Sequence, residues 1–273
     1  MTNKIIYRNN QKYRKIIKKR SKQELYEYLK NRNFYNFLEP EEETTSYELF
    51  RHIDDNIPKE DKAKDLIYLM SLLHTKTTTY ESINIEKIKA IYEDATSAII
   101  KLDNYYHALQ DHIEEKIYFS PAEYLLMKNI SKIYKLLNKS KILLDSWYSS
   151  QQKEKNYRIV LLHQNLKLSN IKEENNNYYL INWDNYKKDI VIYDFLNFYQ
   201  NEYKNIETIS LFELYQSKYP LTKTEINLLL ALIAIPPKLE FNKSNYEDTV
   251  NTKYLVTYID KTNDFISKYN IEN

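Results

Sequence analysis

The spacing of apolar residues changes about a fifth of the way along the chain, from a strand-like to a helix-like pattern. Residues 4–20 predict two short strands around Asn9-Asn10, because asparagine tolerates the positive φ of a tight turn. SKQE at 21–24 predicts a helix start with a capping box, in which Ser21 caps and the glutamate reaches back. The stretch that follows reads as extended again. The first 53 residues therefore predict a small lobe of order β-β-α-β-β.

Two long helices are predicted next. From Ile85 to Ile113 the apolar positions alternate steps of three and four, which is the heptad pattern. SPAE at 120–123 restarts a helix with serine as N-cap, proline in the first turn and glutamate at N3, and its apolar face continues to Trp147. Residues 84–150 therefore predict an antiparallel helical hairpin. The alternative interpretation is an intermolecular coiled coil.

The remaining third of the chain mixes strands and helices. YRIVLL at 157–162 predicts an apolar strand, and NNNYYLINW at 175–183 predicts a turn followed by a second strand. TKTE at 222–225 is another capping box that opens an apolar helix, and residues 246–269 predict a last amphipathic helix. Together these elements predict an α+β fold.

The absence of two residue types excludes several kinds of site. With no glycine, the chain cannot form a dinucleotide-binding glycine loop, a Walker A loop or a nucleophile elbow, all of which need glycine in tight turns. With no cysteine, it has no disulfide, thiolate metal site or cysteine nucleophile.

Charge and hydropathy limit the partners. The net charge of +2 is too small to favour nucleic-acid binding, and no apolar run approaches the ~20 residues of a membrane span. Residues 1–20 are an exception, since their eight Lys and Arg side chains face no acid. They are interpreted as the solvated face of the hairpin, with a phosphate-binding or acidic-partner patch as the alternative. Because these residues lack the apolar stretch of a secretory signal, a cytoplasmic location is expected.

One segment carries a recognisable catalytic spacing. In LLHQNLKLSN, His163 is followed after two positions by Asn165 and after five more by Asn170. This is the spacing H-x-D-x-x-x-x-N of a kinase catalytic loop, in which the aspartate is the catalytic base. Here asparagine stands at the position of that base. NWD follows at residues 182–184.

HQNLKLSN followed by YLINWDNYKKDIVIYDF resembles the aminoglycoside phosphotransferase and choline kinase superfamily, and most closely its bacterial spore-coat kinase-like branch. The pattern there is H-G-D-x-x-x-x-N, then I-D-W-[ED] and a later aspartate. The resemblance covers most of the chain from about Phe50. It implies a two-lobed, protein-kinase-like α+β fold, with a reduced N-terminal lobe (1–53) and a helical C-terminal lobe (54–273) that carries degenerate catalytic and metal loops (157–195).

The resemblance also implies roles for individual residues. His163 matches a structural histidine, and Asn165 stands where the superfamily has the catalytic aspartate. Asn170 matches a magnesium-holding asparagine, and Asn182 stands where the main metal-binding aspartate is expected. Asp184 matches the neighbouring acid.

Three further roles concern the loop and the nucleotide. Asp194 matches an acid that braces the catalytic loop. Lys15 or Lys18 is the candidate for the strand lysine that grips the phosphates of a nucleotide. Its partner on the helix would be Glu24 or Glu27.

These substitutions predict lost chemistry. Asparagine is uncharged and cannot accept a proton, and loss of a general base typically costs ~10²–10⁴ in rate. Magnesium is held through one or two carboxylates, and Asn182 removes one of them. The sequence therefore predicts a pseudokinase that binds neither magnesium nor ATP. The alternative is an active small-molecule phosphotransferase that uses both.

A pseudokinase would act as a binding or scaffold protein. The expected partner is another protein, docked on the hairpin, where Tyr105, Tyr118 and Tyr124 are predicted to be exposed near the tip. The resemblance adds a spore-coat location as an alternative to the cytoplasm.

Overall fold

A computed structural model describes residues 4–8, 11–54, 58–241 and 244–269. They form two compact units. The loop unit comprises Met1–Thr79, Arg158–Glu202 and Ile209–Pro220. The helical unit comprises Tyr80–Tyr157, Tyr203–Thr208 and Leu221–Asn273. The predicted boundary at residue 53 falls inside the loop unit, which joins the N-terminal strands to the segment carrying the catalytic-loop spacing.

An antiparallel sheet begins the loop unit, with strand order β1-β2-β4-β3. Its strands are β1 (Lys4–Arg8), β2 (Gln11–Ile17), β3 (Glu42–Glu43) and β4 (Tyr47–Arg51), and α1 (Gln23–Asn31) lies between β2 and β3. The predicted order β-β-α-β-β is confirmed, while the predicted turn at Asn9-Asn10 lies outside the described residues. Because Arg14 pairs with Phe50 and Ile16 with Glu48, these four side chains share one face of the sheet.

The capping box predicted at Ser21 is wrong. Lys22 occupies the N-cap position of α1, with no side-chain hydrogen bond to the helix. Its side chain is buried, and its ammonium lies 2.6 Å from the Glu48 carboxylate. A helix cap contributes about 1 kcal/mol, whereas leaving a buried charge unpaired costs about 3–5 kcal/mol. The buried ion pair therefore decides how the helix begins.

Acids from the β3 region compensate part of the basic N-terminus. Arg8 pairs with Glu42, and Lys18 Nζ lies 2.5 Å from Glu43. Both pairs are partly exposed, so neither adds much to stability. Arg8 of β1 and Lys18, just after β2, are thus members of mixed-charge pairs.

Two further sheets follow, β5-β6-β9 and β7-β8. The remaining elements that complete the loop unit or border it are α2 (Lys59–Thr77), β5 (Thr79–Ser82), β6 (Asn156–Leu162), β7 (Ile171–Glu174), β8 (Asn177–Leu180), β9 (Lys187–Ile190), α5 (Ile192–Glu202) and α6 (Thr208–Lys218). Asn175 and Asn176 both take positive φ, 53° and 62°, in the β7–β8 turn. In a chain without glycine, asparagine supplies this left-handed conformation.

The helical unit contains the predicted hairpin. Its helices are α3 (Ile85–Glu114), α4 (Pro121–Gln151), α7 (Lys223–Ile233) and α8 (Asn245–Tyr269). The capping boxes predicted at Ser120 and Thr222 are confirmed. The heptad stripe of α3 is mostly buried, but its first residue, Ile85, is exposed.

α3 packs on α4, and α4 packs on α7 and α8, so the stripe forms an intramolecular seam. This packing favours the predicted hairpin over an intermolecular coiled coil. Tyr106 is fully buried, and its hydroxyl donates to the carbonyl of Pro237 at 2.9 Å. Within the described residues, no helix is long and apolar enough to cross a membrane.

Candidate functional site

The candidate catalytic loop leaves the end of β6 and is held by Asp194, in the first turn of α5. Oδ2 of Asp194 accepts from the N–H of His163 at 2.9 Å, and Oδ1 accepts from the N–H of Gln164 at 2.8 Å. His74 Nε2 lies 3.1 Å from the same carboxylate. The completely buried Asp194 therefore fixes the loop backbone, which is the geometry expected of a bracing acid.

The imidazole of His163 joins the loop to the segment that carries NWD. Nε2 donates to the carbonyl of Ile181 at 3.0 Å, and the ring meets Trp183 edge-on at 4.4 Å. Burial lowers the pKa of His163 to about 4, although Asp194 opposes the shift. The ring is therefore neutral at pH 7, with its proton on Nε2. This arrangement is structural, because Nδ1 is buried and has no partner among the described residues.

Three asparagines and one arginine form a hydrogen-bonded relay where a metal would be expected. Arg14 donates to Oδ1 of Asn182 at 3.4 Å. Asn182 Nδ2 donates to Oδ1 of Asn170 at 2.5 Å, and Asn170 Nδ2 donates to the carbonyl of Asn165 at 2.7 Å. A guanidinium can only donate and a carbonyl can only accept, so the two ends of the relay fix the orientation of both amides.

A cluster of buried charges lies beside the relay. Lys22 Nζ lies 2.6 Å from Glu48 and 3.0 Å from Asp184, while Lys19 approaches Asp184 at 3.9 Å. The side chains of Lys22, Glu48 and Asp184 are all less than a tenth exposed. Burial lowers the pKa of Arg14, and the charge of Asp184 opposes the shift. The acid of NWD is therefore already neutralised by protein cations.

The residues present do not fit a magnesium ion. Asn182 directs an N–H, which cannot ligate a cation, at the oxygen of Asn170, and Asp184 is engaged by Lys22. The cavity lined by Arg14, Lys22, Asn182 and Asp184 is about 10 Å³, room for at most one water. Small-molecule sites typically measure about 300–1,000 Å³. Protein groups therefore occupy the space and the ligand atoms that the chemistry would need.

Comparisons with known proteins place this geometry in a fold. No protein-family model matches the chain, and no curated protein matches it. Among solved structures, an aminoglycoside phosphotransferase from Alicyclobacillus acidocaldarius subsp. acidocaldarius DSM 446 matches with a TM-score of 0.62 and 11% identity, over 96% of this chain and 86% of that one. The chain therefore has a protein-kinase-like fold similar to that of this structure.

A second structure supports this assignment. Spectinomycin phosphotransferase APH(9)-Ia, in complex with ADP and spectinomycin, matches with a TM-score of 0.54 and 13% identity, over 98% of this chain and 91% of that one. The predicted α+β, protein-kinase-like fold class is thus confirmed. Identities this low show the fold alone, so activity has to be argued from the site.

The lysines predicted to grip phosphates contact other groups. Lys15 Nζ sits 3.9 Å from the centre of the Tyr47 ring, and Lys18 pairs with Glu43. The cations that reach the NWD segment are instead Arg14 and Lys22.

Sequence reasoning missed both of these cations. Arg14 could have been found from strand alternation, because it shares a face with the apolar Ile16. Lys22 was hidden by the apparent capping box. The proposed partners Glu24 and Glu27 both lie in α1, yet the carboxylate that Lys22 uses comes from Glu48 on β4.

Two residues of the candidate loop and the NWD segment take left-handed backbone conformations without being glycine. Gln164 stands at the glycine of H-G-D and takes φ 59°, in the left-handed region. Asn182 takes φ 66°. Asparagine reaches this region at low cost, whereas a glutamine there is strained by about 1–2 kcal/mol. The conformation of Gln164 therefore carries a local cost in stability.

Proposed function

We propose that this protein is a pseudokinase, in which the phosphotransferase fold persists as a binding or scaffold protein without phosphoryl transfer. The observation that carries the proposal is the relay from Arg14 through Asn182 to Asn170. It satisfies within the protein the side chains that phosphotransfer chemistry would leave open for a metal. Phosphoryl transfer depends on positioning and charge neutralisation, so a site closed by its own hydrogen bonds loses both.

The sequence supports the same proposal independently. Asn165, at the position of the catalytic base, carries no charge, and the absence of a general base typically costs ~10²–10⁴ in rate. The chain has no glycine with which a glycine-rich lid could approach phosphates closely.

Nucleotide titration tests the loss of binding. Thermal unfolding is followed with ATP, with magnesium and with both, at concentrations near 100 times a typical kinase Kd. A ligand of that affinity would stabilise the protein by ~2.7 kcal/mol, whereas no shift is expected here. A magnesium-dependent rise in Tm, together with ATP-dependent phosphorylation of choline, spectinomycin or another aminoglycoside, would support the alternative of an active phosphotransferase.

A restoration experiment tests whether the site is only two residues from activity. Asn165→Asp combined with Asn182→Asp returns both carboxylates, but leaves Lys22 on Asp184 and the glycine lid absent. Folded protein with negligible turnover of ATP is expected, with each single variant as control. Robust turnover in the double variant would mean that the remaining pocket is complete.

The proposed partner surface is the turn between α3 and α4, here called the hairpin tip and defined as Ile117, Tyr118, Phe119 and Tyr124. Ile117 is 89% exposed, Tyr118 88% and Tyr124 63%. Tyr105, also expected at the tip, is half-buried, and its hydroxyl donates to the carbonyl of Leu239 at 2.5 Å. An exposed patch of large apolar side chains is characteristic of an interaction site.

The charge near the hairpin tip indicates what kind of partner fits. The last two turns of α3 and the residue after it carry Asp111, Glu114 and Glu115, and the nearby Lys116 is already paired with Glu123. The proposed occupant is therefore a protein with an apolar groove and a basic rim, rather than an anionic membrane surface.

Tip substitutions test this docking surface. The double variant Ile117→Ser/Tyr118→Ser should leave Tm unchanged, since both side chains are exposed. It should abolish the salt-sensitive binding of a partner protein that has been captured by the native protein and then purified. Tyr246→Ser, at a residue 77% exposed on α8, is the matched control. Binding that survives the tip variant, concentration-dependent self-association, or binding to vesicles of anionic lipid would each contradict this occupant.

The cellular location is a separate proposal that rests on composition and resemblance. A cytoplasmic pool is proposed, and the resemblance to the spore-coat kinase-like branch adds the spore coat. Fractionation of cells and spores with an antibody against the protein tests both.

A further inference from the structure

A second cavity lies within the helical unit and has a different chemistry from the relay. Its volume is about 350 Å³, within the range of small-molecule sites. Three stretches of chain line it: Tyr203 and Lys204, the segment Pro237–Glu240, and the side chains of Asn251, Tyr254 and Leu255 on α8. Apolar and polar groups both face it, so it can receive a molecule with an apolar body and a polar end.

One wall of this cavity carries an ammonium without a carboxylate. Lys204 Nζ lies 3.8 Å from the centre of the Tyr254 ring and 5.7 Å from that of Tyr203. Among the described residues it makes no ion pair. Lys238, by contrast, is 2.7 Å from Glu240 and is thereby compensated. A cation placed on aromatic faces at a cavity retains its capacity to attract an anion.

The floor of the cavity is rigid and neutral. Tyr203 is buried, and its hydroxyl donates to the carbonyl of Tyr254 at 3.3 Å. Burial raises the pKa of Tyr203 to about 12, so the phenol carries no charge at pH 7. Lys261 Nζ donates to the carbonyl of Tyr203 at 2.5 Å and to that of Ile206 at 3.2 Å. The ammonium of Lys261, which does not line the cavity, therefore fixes the backbone at Tyr203.

We propose that this cavity binds a small anion, specifically an aromatic or similarly flat molecule that carries one phosphate or carboxylate. Lys204 takes the anionic group and the amide of Asn251 adds a hydrogen bond. The lining side chains of Tyr203, Tyr254 and Leu255 supply apolar contacts for the ring. Among the described residues that line the cavity, Lys204 alone carries a charge without an opposite charge beside it, since Lys238 and Glu240 compensate each other. This inference is independent of whether the protein transfers phosphate.

Phenyl phosphate is the probe, with benzoate as the carboxylate, inorganic phosphate as the anion without a ring, and phenol as the ring without an anion. Binding to the full chain is measured by saturation-transfer NMR and calorimetry at two salt concentrations. Phenyl phosphate or benzoate should bind, more weakly at high salt, and more tightly than phenol or inorganic phosphate. No binding up to roughly 10 mM, or equal binding of phenol and the two anions, overturns the proposal.

Variants assign the binding to this cavity. Lys204→Met keeps the apolar stem of the side chain and should lower the affinity for phenyl phosphate by at least about tenfold. Lys253→Met, at an exposed lysine of α8 that does not line the cavity, is the matched control. Asn251→Asp places a negative charge in the wall and should also weaken binding. Unchanged affinity in both cavity variants, with a native circular dichroism spectrum, overturns the assignment.

Discussion

Replacing Lys22 by methionine tests whether the charged cluster beside the relay supports the fold or serves a ligand. Lys22 is 3% exposed and holds Glu48 at 2.6 Å and Asp184 at 3.0 Å. Its removal leaves two buried carboxylates, with the half-exposed Lys19, 3.9 Å from Asp184, and Arg14 as the cations that remain near Asp184. Breaking a buried pair by deleting one partner costs about 3–5 kcal/mol. Since each kcal/mol shifts Tm by about 2–4 °C in proteins of this size class, a fall of roughly 6–20 °C is expected.

Thermal and urea unfolding measure this effect at neutral pH. Lys18→Met is the matched control, because its partly exposed pair with Glu43 is expected to contribute at most about 1 kcal/mol. The double variant Lys22→Met/Glu48→Met removes one of the stranded carboxylates and should recover part of the loss. If Lys22→Met instead leaves Tm unchanged and weakens the binding of magnesium-ATP, then the lysine serves a ligand, and both the magnitude and the pseudokinase proposal are refuted.

Two further predictions concern the loop itself. Gln164→Gly should raise the free energy of unfolding by about 1 kcal/mol, because glycine adopts φ 59° without strain and the buried, unpartnered amide nitrogen is removed. Gln164→Ala keeps the backbone strain and should gain less stability. Equal gains in the two variants would contradict the assignment of strain to Gln164. Because the folded-state pKa of His163 lies near 4, below its ordinary 6.5, the unfolded chain takes up the proton first. Urea unfolding should therefore show stability falling by up to about 3 kcal/mol from pH 6.5 to 4, and His163→Gln should remove that share of the dependence.

Tertiary contacts corrected the sequence interpretation in specific places. At Ser21 the local pattern satisfied every requirement of a capping box, yet the helix starts after Lys22, because the ion pair to Glu48 outweighs a cap. Tyr105 was expected to be exposed at the hairpin tip, but the segment ending at Leu239 folds back and accepts its hydroxyl. In each case the deciding partner is distant in sequence, and no local pattern reports it.

The sequence alone determined those features that depend on neighbours within a few residues. The capping boxes at Ser120 and Thr222 are satisfied within one turn of helix, and the heptads of α3 repeat along a single helix, so both could be found from spacing. The spacing from His163 to Asn170 likewise pointed to the candidate catalytic loop. A single chain thus reveals its periodic elements, together with any motif whose parts are close in sequence.

Only the tertiary structure decided how the site is closed. Arg14 and Asn182 are 168 residues apart, and Lys22 and Glu48 are 26 apart, so neither contact leaves a periodic trace in the sequence. The sequence places an asparagine at residue 182, where the resemblance leads one to expect a carboxylate. The folded structure adds that Asn182 donates its amide to Asn170 and lines a cavity too small for a ligand. Neither fact can be read from the sequence, because hydrogen-bond direction and burial depend on partners that are distant along the chain.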